Sequence, residues 1–208
     1  MGLRLAETFA SIQGEASHAG RPMFFVRFAG CSVLGCWLHP TNTGKCDTDL
    51  STRHRRSVAD VVRGASDSGL EWVCITGGEP TDQMELLCEL AAALRAAGHR
   101  VMIQTSGVKS IPIDVDWIVV SPKGDCAGPF RIQQDWGHDL KLIYRPTMDV
   151  GQLRGWSSLT RFHHYWMQPE WSSPAELDEL TTLLLKANHA GAGSWRLSIQ
   201  THKFLGIK

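Results

Sequence analysis

Short apolar segments of strand length alternate with amphipathic segments along most of the chain. Met23 to Gly30 and Glu71 to Thr76 are apolar runs, and the second continues directly into Gly77-Gly78-Glu79-Pro80. From Asp82 to about Ala97, apolar residues recur at helical spacing, and Asp82 is the expected helix cap. This part of the chain is predicted to form a strand, a glycine turn and a helix in succession.

The same succession recurs less regularly towards the C-terminus. Further strands are predicted at Val101 to Thr105, Trp117 to Ser121, Asp139 to Tyr144, His163 to Gln168 and Trp195 to Gln200, and further helices at Ser57 to Ala65 and Pro174 to about Asn188. Alternating strands and helices predict an α/β fold with a parallel sheet, either open or barrel-like. In such folds, ligands bind at the C-terminal ends of the strands.

Length and charge narrow the class of protein. A chain of 208 residues suits one domain, so residues 1–208 are expected to share one core. Lys and Arg balance Asp and Glu at 21 each, which leaves no positive field for nucleic acid. No stretch approaches the roughly 20 apolar residues of a membrane helix, and no signal peptide is evident. We expect a cytoplasmic protein with no nucleic-acid or membrane partner.

Three of the six cysteines follow the first apolar strand in an irregular segment. Four residues separate Cys31 from Cys36, and nine separate Cys36 from Cys46. Soft thiolates select iron–sulfur clusters, and three ligands on a 4Fe–4S cluster leave one iron open. The spacing also fits a zinc site completed by His39 or His54, or thiols without a ligand.

The remaining cysteines have a different expected role. Cys74 lies within a predicted strand and Cys88 on the inner side of a predicted helix, where each packs as a small hydrophobic residue. Cys126 lies in a glycine-rich segment and has no assignment. The Arg53, His54, Arg55, Arg56 run is predicted to be a solvated surface.

Two polar features interrupt the apolar strands. Arg27 lies inside the first strand, where an unpaired charge is costly, so it needs Glu15 or a ligand carboxylate as its partner. A structural ion pair and a ligand clamp are both open. After the second strand, Gly77 and Gly78 let backbone groups approach a ligand, and Glu79 offers a partner for an ammonium group, although the segment also suits an ordinary turn.

Other polar groups follow the predicted strands. Asp47, Thr48 and Asp49 offer hard oxygen ligands for Mg²⁺, or form a turn. Polar strand ends occur at Gln104 to Gly107, Ser121 to Lys123, Gln168 to Pro169 and, in the tail, Gln200 to Lys203. Each lies where an α/β fold binds its ligands.

Taken together, these segments resemble a known family over nearly the whole chain. The segments are SIQGE, HAGRPMFFVRFAGC, CDTD, ITGGEP, QTSG, VVSPK, DLKLIY, MQP and LSIQTHKFLGI, in that order. The chain is thereby similar to the radical S-adenosylmethionine superfamily and, within it, to the 7-carboxy-7-deazaguanine synthase family.

The resemblance implies a fold and a reaction. The fold is a shortened and modified (β/α) barrel, in a homodimer. The reaction is a lyase-type, radical-mediated contraction of 6-carboxy-5,6,7,8-tetrahydropterin to 7-carboxy-7-deazaguanine with loss of ammonia, in queuosine-type 7-deazapurine biosynthesis. It implies a 4Fe–4S cluster, S-adenosylmethionine and Mg²⁺ as cofactors, and an electron donor such as flavodoxin or ferredoxin. No side chain is implied as a catalytic group beyond the cofactor-derived radical.

The resemblance also implies site residues. Cys31, Cys36 and Cys46 hold the cluster, Thr48 binds Mg²⁺, and Asp47 supports that metal. The implied pterin contacts are Ile12, Gln13, Gly14, Glu15, Arg27, Thr76 and Lys208, with Arg27 on the substrate carboxylate. The implied S-adenosylmethionine contacts are Gly78, Glu79, Gln104, Ser106, Ser121, Pro122, Lys123, Gln168, Pro169, Glu170 and Trp171. The tail ending at Lys208 is expected to close the pocket.

Three positions depart from the family pattern. The superfamily commonly places three and then two residues between its cysteines, so Cys36 is the ligand with the weakest match. Ala16 follows Gln-Gly-Glu where the family usually has glycine, and Lys208 stands where the family often has proline. Another radical S-adenosylmethionine enzyme or activase, and a non-catalytic zinc-binding module, are the alternative functions.

Overall fold

The fold is built on one mixed β-sheet. The computed structural model describes residues 2–33, 54–123, 128–129, 131–171 and 177–208. Its strands are β1 (Leu3–Ile12), β2 (Pro22–Phe28), β3 (His54–Arg56), β4 (Trp72–Gly77), β5 (Arg100–Thr105), β6 (Trp117–Val120), β7 (Trp136–Ile143), β8 (Arg161–Gln168) and β9 (Trp195–Leu197). Their order is β3-β1-β2-β4-β5-β6-β7-β8-β9. β1 is antiparallel to β2 and β3, and the strands from β2 to β9 are parallel to one another.

Helices follow most of the parallel strands. They are α1 (Val58–Asp67), α2 (Met84–Ala96), α3 (Val150–Leu159), α4 (Leu177–His189) and α5 (Thr201–Phe204), with 3₁₀ turns at Ala16–His18 and Pro80–Gln83. The predicted strands and the three predicted helices are present, with ends that differ by a few residues. In the described residues, the predictions omitted β1, β3, α3 and α5.

The main core lies between the sheet and its helices. Val73, Ile75, Val101 and Ile103 point to that side of β4 and β5, and α2 covers them with leucines such as Leu90. Alternate residues on the same strands therefore point to the other, concave side. There, Met23, Phe25, Cys74, Met102 and Val119 form a smaller apolar cluster. The buried position of Cys74 confirms that it packs as a small hydrophobic residue.

The sheet must curve strongly, because a short tail connects its two ends. If the sheet were flat, the seven strand spacings from β9 to β1 would separate those strands by about 34 Å. Residues 198 to 208 include the four-residue helix α5 and could cover at most about 31 Å. Nevertheless, the Ser11 Oγ of β1 donates to the main-chain oxygen of Lys208 over 2.6 Å. The result is an open partial barrel, which confirms the predicted fold class.

The β1–β2 connection crosses the concave side and ties the two halves of the sheet together. Ser17 Oγ donates to Asp139 on β7 over 2.6 Å, and the indole N–H groups of Trp117 and Trp166 donate to the same carboxylate, each over 2.9 Å. His18 packs against Trp117, with ring centroids 4.4 Å apart. Burial lowers the pKa of His18 to about 4, helped by the nearby Arg21 charge, so this ring is neutral near pH 7.

The start of α1 agrees with the prediction, whereas the start of α2 differs from it. Ser57 caps α1 as a helix-capping serine should, because its Oγ accepts from Asp60 N over 3.1 Å. Asp82 was expected to cap α2, and this prediction is wrong. Pro80 starts a 3₁₀ turn that Glu79 caps, while the Asp82 carboxylate accepts from the N–H of Ser32 over 2.7 Å.

Candidate active site

The concave side becomes polar towards the C-terminal ends of the strands. On β4, the apolar residue Cys74 is followed two positions later by Thr76. On β5, Met102 is followed in the same way by Gln104. Thr76 Oγ1 donates to Gln104 Oε1 over 3.4 Å, so neighbouring strands bring their polar groups together. We call this end of the sheet the mouth. Parallel α/β folds bind their ligands at this end.

The glycine turn after β4 packs against the first cysteine. Gly78 N donates to Phe28 O and Glu79 N to Gly30 O, both over 3.1 Å. A Cβ atom at Gly78 would lie 1.8 Å from Gly30 O and 2.9 Å from the Cβ of Cys31. Only glycine allows this approach, which places Cys31 directly beside the turn.

Glu79 lies inside this turn and is 1% exposed. Its carboxylate accepts five hydrogen bonds, from Thr81 N (3.1 Å) and Oγ1 (2.7 Å), Thr105 Oγ1 (2.7 Å), and Ser106 N (2.8 Å) and Oγ (2.5 Å). A carboxylate offers about four lone-pair positions, so these donors occupy it fully. The side chain that we expected to pair with an ammonium group instead joins the ends of β4 and β5.

The polar end of β6 lies next to β5. Ser121 N donates to Thr105 O over 2.8 Å, which continues the sheet by one bond beyond β6. Lys123 Nζ donates to Ser121 O over 3.1 Å and also contacts Ser121 Oγ. The Ser121 to Lys123 segment therefore lies at the same end of the sheet as Ser106.

Glu15 reaches the mouth from the β1–β2 connection. Lys141 Nζ on β7 forms an ion pair with Glu15 Oε2, while Gln168 Nε2 and Gln200 Nε2 donate to Oε1 over 3.1 and 2.9 Å. The side chains of Glu15 and Lys141 are only 11% and 8% exposed. A single carboxylate thus joins this connection to β7, β8 and the tail.

The charge state of Glu15 follows from these contacts. Burial by itself would raise the pKa of the carboxyl group, but the Lys141 charge and the hydrogen bonds from Lys141 and Gln200 outweigh burial and lower the pKa to about 2. Glu15 is therefore ionised throughout the neutral range.

The opening and closing sequence motifs are in direct contact. Thr201 N donates to Gly14 O over 3.0 Å. A Cβ atom at Gly14 would lie 2.1 Å from Nδ1 of His202 and 2.7 Å from its backbone nitrogen. The glycine of SIQGE is therefore required by the close approach of the QTHK segment.

Within the protein, Arg27 pairs with a different residue from the predicted Glu15. Its Nε donates to Glu7 Oε1 over 3.0 Å, so the alternative of a pair with Glu15 is wrong. The reason is register, because Glu7 lies opposite Arg27 on the antiparallel strands β1 and β2. The two terminal guanidinium nitrogens donate to no described residue, and the side chain is 22% exposed. They are available for a ligand carboxylate.

The tail contacts the same glutamate. Lys208 Nζ donates to Glu7 Oε2 over 2.6 Å and lies 5.1 Å from the ring centroid of Phe9. Burial tends to raise the pKa of Glu7, but the hydrogen bonds from Lys208 and Arg27 lower it overall. The residues expected to close the pocket thus lie beside Arg27.

The other predicted contacts lie at several levels of the sheet. Gln13 is buried, and its Nε2 lies 3.7 Å from the Met102 sulfur. Ile12 pairs with Pro22 at the start of β2, away from the mouth. Gln168 Oε1 accepts from Ser198 Oγ over 3.1 Å.

Beyond Gln168, the predicted segment contacts Arg145 and helix α5. Glu170 forms an ion pair with Arg145 over 2.9 Å. Trp171 is exposed and makes an edge contact with Phe204, with centroids 4.9 Å apart. Pro169 lies between Gln168 and Glu170 and is partly buried.

Several predicted ligands lie outside the described residues. They are Cys36, Cys46, Asp47 and Thr48, together with His39 and Cys126. Among the described residues, no group of three or more His, Cys, Asp or Glu side chains could hold a metal. Within the same residues, Cys31 lies at the mouth directly against the glycine turn, so the described part of the site agrees with one thiolate ligand beside that turn.

Two charged residues of the site were missed by sequence reasoning. Lys141 carried a usable signal, because a lysine between Leu140 and Leu142 in a strand needs a partner for the same reason as Arg27 does. Glu7 carried no such signal, since β1 was not recognised as a strand. The exposed His54, Arg55 and Arg56 form an edge strand, which agrees with a solvated surface.

The fold and the site define an α/β partial barrel with a polar mouth at the C-terminal ends of its parallel strands. The crystal structure of QueE from Escherichia coli has this fold, with a TM-score of 0.73 over 97% of this chain and 95% of that chain. The sequence identity of that pair is 23%. No helix of the described residues is both long and apolar enough to cross a membrane.

Curated relatives identify the family. The 7-carboxy-7-deazaguanine synthase of Synechocystis sp. is 33% identical over 98% of this chain and 93% of the relative. Those of Bradyrhizobium diazoefficiens and Bordetella pertussis are each 33% identical over the full length of both chains. No protein-family model matches the chain. The chain belongs to the 7-carboxy-7-deazaguanine synthase family, as the order of its motifs indicated.

Proposed function

We propose that this enzyme converts 6-carboxy-5,6,7,8-tetrahydropterin to 7-carboxy-7-deazaguanine with loss of ammonia, in queuosine-type 7-deazapurine biosynthesis. Its relatives in many bacteria carry the name of this synthase over the full chain length. The structural observation that supports the proposal most directly is the contact of Gly78 with Gly30 and Cys31. It brings the first cluster cysteine and the turn proposed for S-adenosylmethionine to one point at the mouth.

The proposed cofactors occupy the side of the mouth near β4 to β6. Cys31, Cys36 and Cys46 hold a 4Fe–4S cluster, and S-adenosylmethionine lies against Gly78 and the backbone of Glu79. Gln104, Ser106, the Ser121 to Lys123 segment and residues 168–171 complete that contact surface. When bound, the cluster and S-adenosylmethionine supply a radical that removes a substrate hydrogen and later returns it. The saturated carboxylate of Glu79 keeps the β4 and β5 ends in register for this surface.

The proposed substrate occupies the other side of the mouth. The free nitrogens of Arg27 pair with the pterin carboxylate in a bidentate, charge-assisted contact. Glu15 is held ionised and accepts from N–H groups of the pterin ring. Gln13, Gly14, Thr76 and Lys208 are the remaining contacts that we propose at the mouth, and Ile12 is a further proposed contact at the end of β1. The contact of Lys208 with Glu7 places the tail beside this carboxylate site.

Further parts of the proposal concern metal and partners. Mg²⁺ is held by Thr48 with support from Asp47, and it orients the substrate carboxylate. The protein acts as one domain of residues 1–208 and as a homodimer, with a donor such as flavodoxin or ferredoxin supplying the electron. Light scattering of the reconstituted protein tests the dimer, and turnover with each purified donor tests the electron source.

The decisive experiment is a reaction with the complete enzyme. After anaerobic reconstitution, the protein is incubated with S-adenosylmethionine, dithionite, Mg²⁺ and the carboxy-tetrahydropterin. The expected products are 7-carboxy-7-deazaguanine and an equal amount of ammonia, without stoichiometric loss of S-adenosylmethionine. Cleavage of S-adenosylmethionine without the deazaguanine would instead indicate another radical enzyme or an activase.

Metal analysis tests the cluster itself. About four iron atoms per chain are expected after anaerobic reconstitution, with broad visible absorption. Cys31→Ser and Cys36→Ser should both lose iron, whereas Cys88→Ser, on the partly exposed side of α2, should not. A colourless protein that carries zinc would contradict the cluster and favour a zinc-binding module.

A further inference from the structure

The ion pair between Lys141 and Glu15 is the least exposed one among the described residues, and it spans the concave side of the sheet. Lys141 projects from the middle of β7, between Leu140 and Leu142, which face the helices. Glu15 comes from the connection between β1 and β2. An ion pair buried in this way costs desolvation of both charges, so it is weak evidence for a purely stabilising role.

Glu15 has unused capacity as an acceptor. Its Oε1 accepts from Gln168 and Gln200, and its Oε2 accepts from Lys141. No other described residue donates to it, whereas a carboxylate offers about four acceptor positions. One position on Oε2 is therefore left for a ligand, in contrast to the saturated Glu79.

Lys141 has a single polar contact in the part of the chain that the structure describes, which is Glu15. Its neighbour on the same side of β7, Asp139, already accepts from Ser17 and two tryptophans. The ammonium charge of Lys141 thus acts on Glu15 alone. Without it, the carboxylate would keep two neutral amide donors in a largely buried position.

We infer that Lys141 is a positioning residue for the pterin: it keeps the Glu15 carboxylate ionised and oriented, so that its remaining acceptor position binds an N–H donor of the pterin ring. This inference rests on the proposed function, because it uses the pterin as the ligand. It assigns to Lys141 control of substrate affinity, with no direct part in the chemical step.

The other ionisable groups around Glu15 do not replace Lys141. The His202 charge on α5 also lowers the pKa of Glu15, but its effect is smaller than those of the Lys141 charge and of the hydrogen bonds from Lys141 and Gln200. Cys74 on β4 is neutral, because burial raises the pKa of its thiol to about 12. Arg27 on β2 is committed to Glu7 through Nε.

The test is the dissociation constant of the carboxy-tetrahydropterin on reconstituted enzyme with S-adenosylmethionine, without reductant, so that no turnover occurs. In the wild-type protein, Glu15 should stay ionised from about pH 6 to about pH 8, and its contribution to affinity should not vary. In Lys141→Met, burial is opposed only by the smaller effects of Gln200 and His202, and it favours the protonated acid. We expect about tenfold weaker binding near pH 7, with the loss growing as the pH falls.

A double-mutant cycle separates positioning from general damage. Glu15→Gln alone should weaken binding about 10- to 100-fold, and adding Lys141→Met should weaken it no further. Lys141→Arg should keep the wild-type pH profile. Lys109→Met removes a lysine that pairs with Asp82 at the protein surface and is the matched control, with no change expected.

Three outcomes would overturn the inference: wild-type binding and pH dependence in Lys141→Met, an equal loss in the Glu15→Gln background, or a new acid limb in Lys141→Arg. If Lys141→Met does not fold, the double variant should fold, because it leaves no unpaired carboxylate. If the wild-type enzyme binds no pterin at all, the proposed function fails first, and the two failures are thereby distinguished.

Discussion

Two glutamates lie at the mouth of the partial barrel, and they are held in different ways. Glu79 accepts only from uncharged donors, on residues 2 to 27 positions away along the chain. Glu15 pairs with a charged lysine 126 positions away and accepts from glutamines 153 and 185 positions away. Glu79 is saturated, whereas Glu15 retains an acceptor position.

This difference separates a structural carboxylate from one that we propose to bind a ligand. Five neutral donors around Glu79 fix the ends of β4 and β5, and they leave nothing for a ligand. Around Glu15, segments that are distant in sequence converge on one carboxylate, so the position of this carboxylate depends on the complete fold. The carboxylate can still accept one further hydrogen bond. The proposed cofactor side of the mouth is therefore held by contacts close in sequence, and the proposed substrate side is assembled by the curvature of the sheet.

The largest effect is expected from Gly78→Ala, which disrupts the glycine turn on the proposed cofactor side. Gly78→Ala would place a Cβ 1.8 Å from Gly30 O, where only backbone displacement can relieve the clash. We expect loss of cluster iron and destabilisation of about 3 kcal/mol or more. Iron analysis and denaturant unfolding measure both effects.

Gly155→Ala is the matched control, because a Cβ there meets nothing within 4 Å and the residue lies inside α3. It should stabilise the protein by about 0.5–1 kcal/mol. Normal iron content in Gly78→Ala would show that the turn and the cysteine are not coupled.

Glu79→Gln is the next largest change. An amide group would turn N–H atoms towards Ser106 or Thr105, which donate in the wild type. The expected loss in unfolding free energy is about 2–4 kcal/mol, since several buried donors lose an acceptor. In contrast, Glu15→Gln should weaken pterin binding more than it lowers stability. Equal effects of the two variants on binding and on stability would contradict the distinction between the two glutamates.

The strand ends on the proposed cofactor side were largely predictable from sequence, and the reason is local. The runs at β2 and β4 are apolar and end at glycine or cysteine, so their ends mark the mouth once the sheet is known to be parallel. The partner of Glu15 was not predictable, because no local pattern links residue 15 to residue 141. The partner of Arg27 was also missed, since an irregularity between Leu5 and Glu7 interrupts the alternation of β1 and hid this strand.

Helix α3 was missed for a different reason. Its sequence, Val150 to Leu159, contains two glycines and two serines, which are poor helix formers. The structure supplies a capping box, in which Asp149 accepts from Gln152 N over 2.8 Å and Gln152 Oε1 accepts from Asp149 N over 3.0 Å. Leu153 and Trp156 then bury the helix against the sheet.

A smaller effect is expected in an acid titration of protein stability, which tests the charge state assigned to Glu15. The folded-state pKa of Glu15 is about 2, below its ordinary value of 4.5, so its ion pair stabilises the protein fully above about pH 4.5. That contribution is lost as the pH falls towards 2. The unfolding free energy of the wild type should therefore fall more steeply over this range than that of the Glu15→Gln/Lys141→Met variant. Parallel pH dependences would contradict the assigned charge state.

The smallest expected effect concerns Thr76, which lies between the two glutamate sites and pairs in register with Arg27. Its Oγ1 donates to Gln104 over 3.4 Å, a long hydrogen bond in a partly buried place, so Thr76→Val should change the unfolding free energy by less than about 0.5 kcal/mol. Because Thr76 is a proposed pterin contact, KM should nevertheless rise a few-fold while kcat and iron content stay unchanged, since one neutral hydrogen bond is worth about 1 kcal/mol. Steady-state kinetics on the reconstituted enzyme, beside denaturant unfolding, measure the two effects. A change in stability without a change in KM would assign Thr76 to the structural side of the mouth with Glu79, and the reverse result would place it with Glu15.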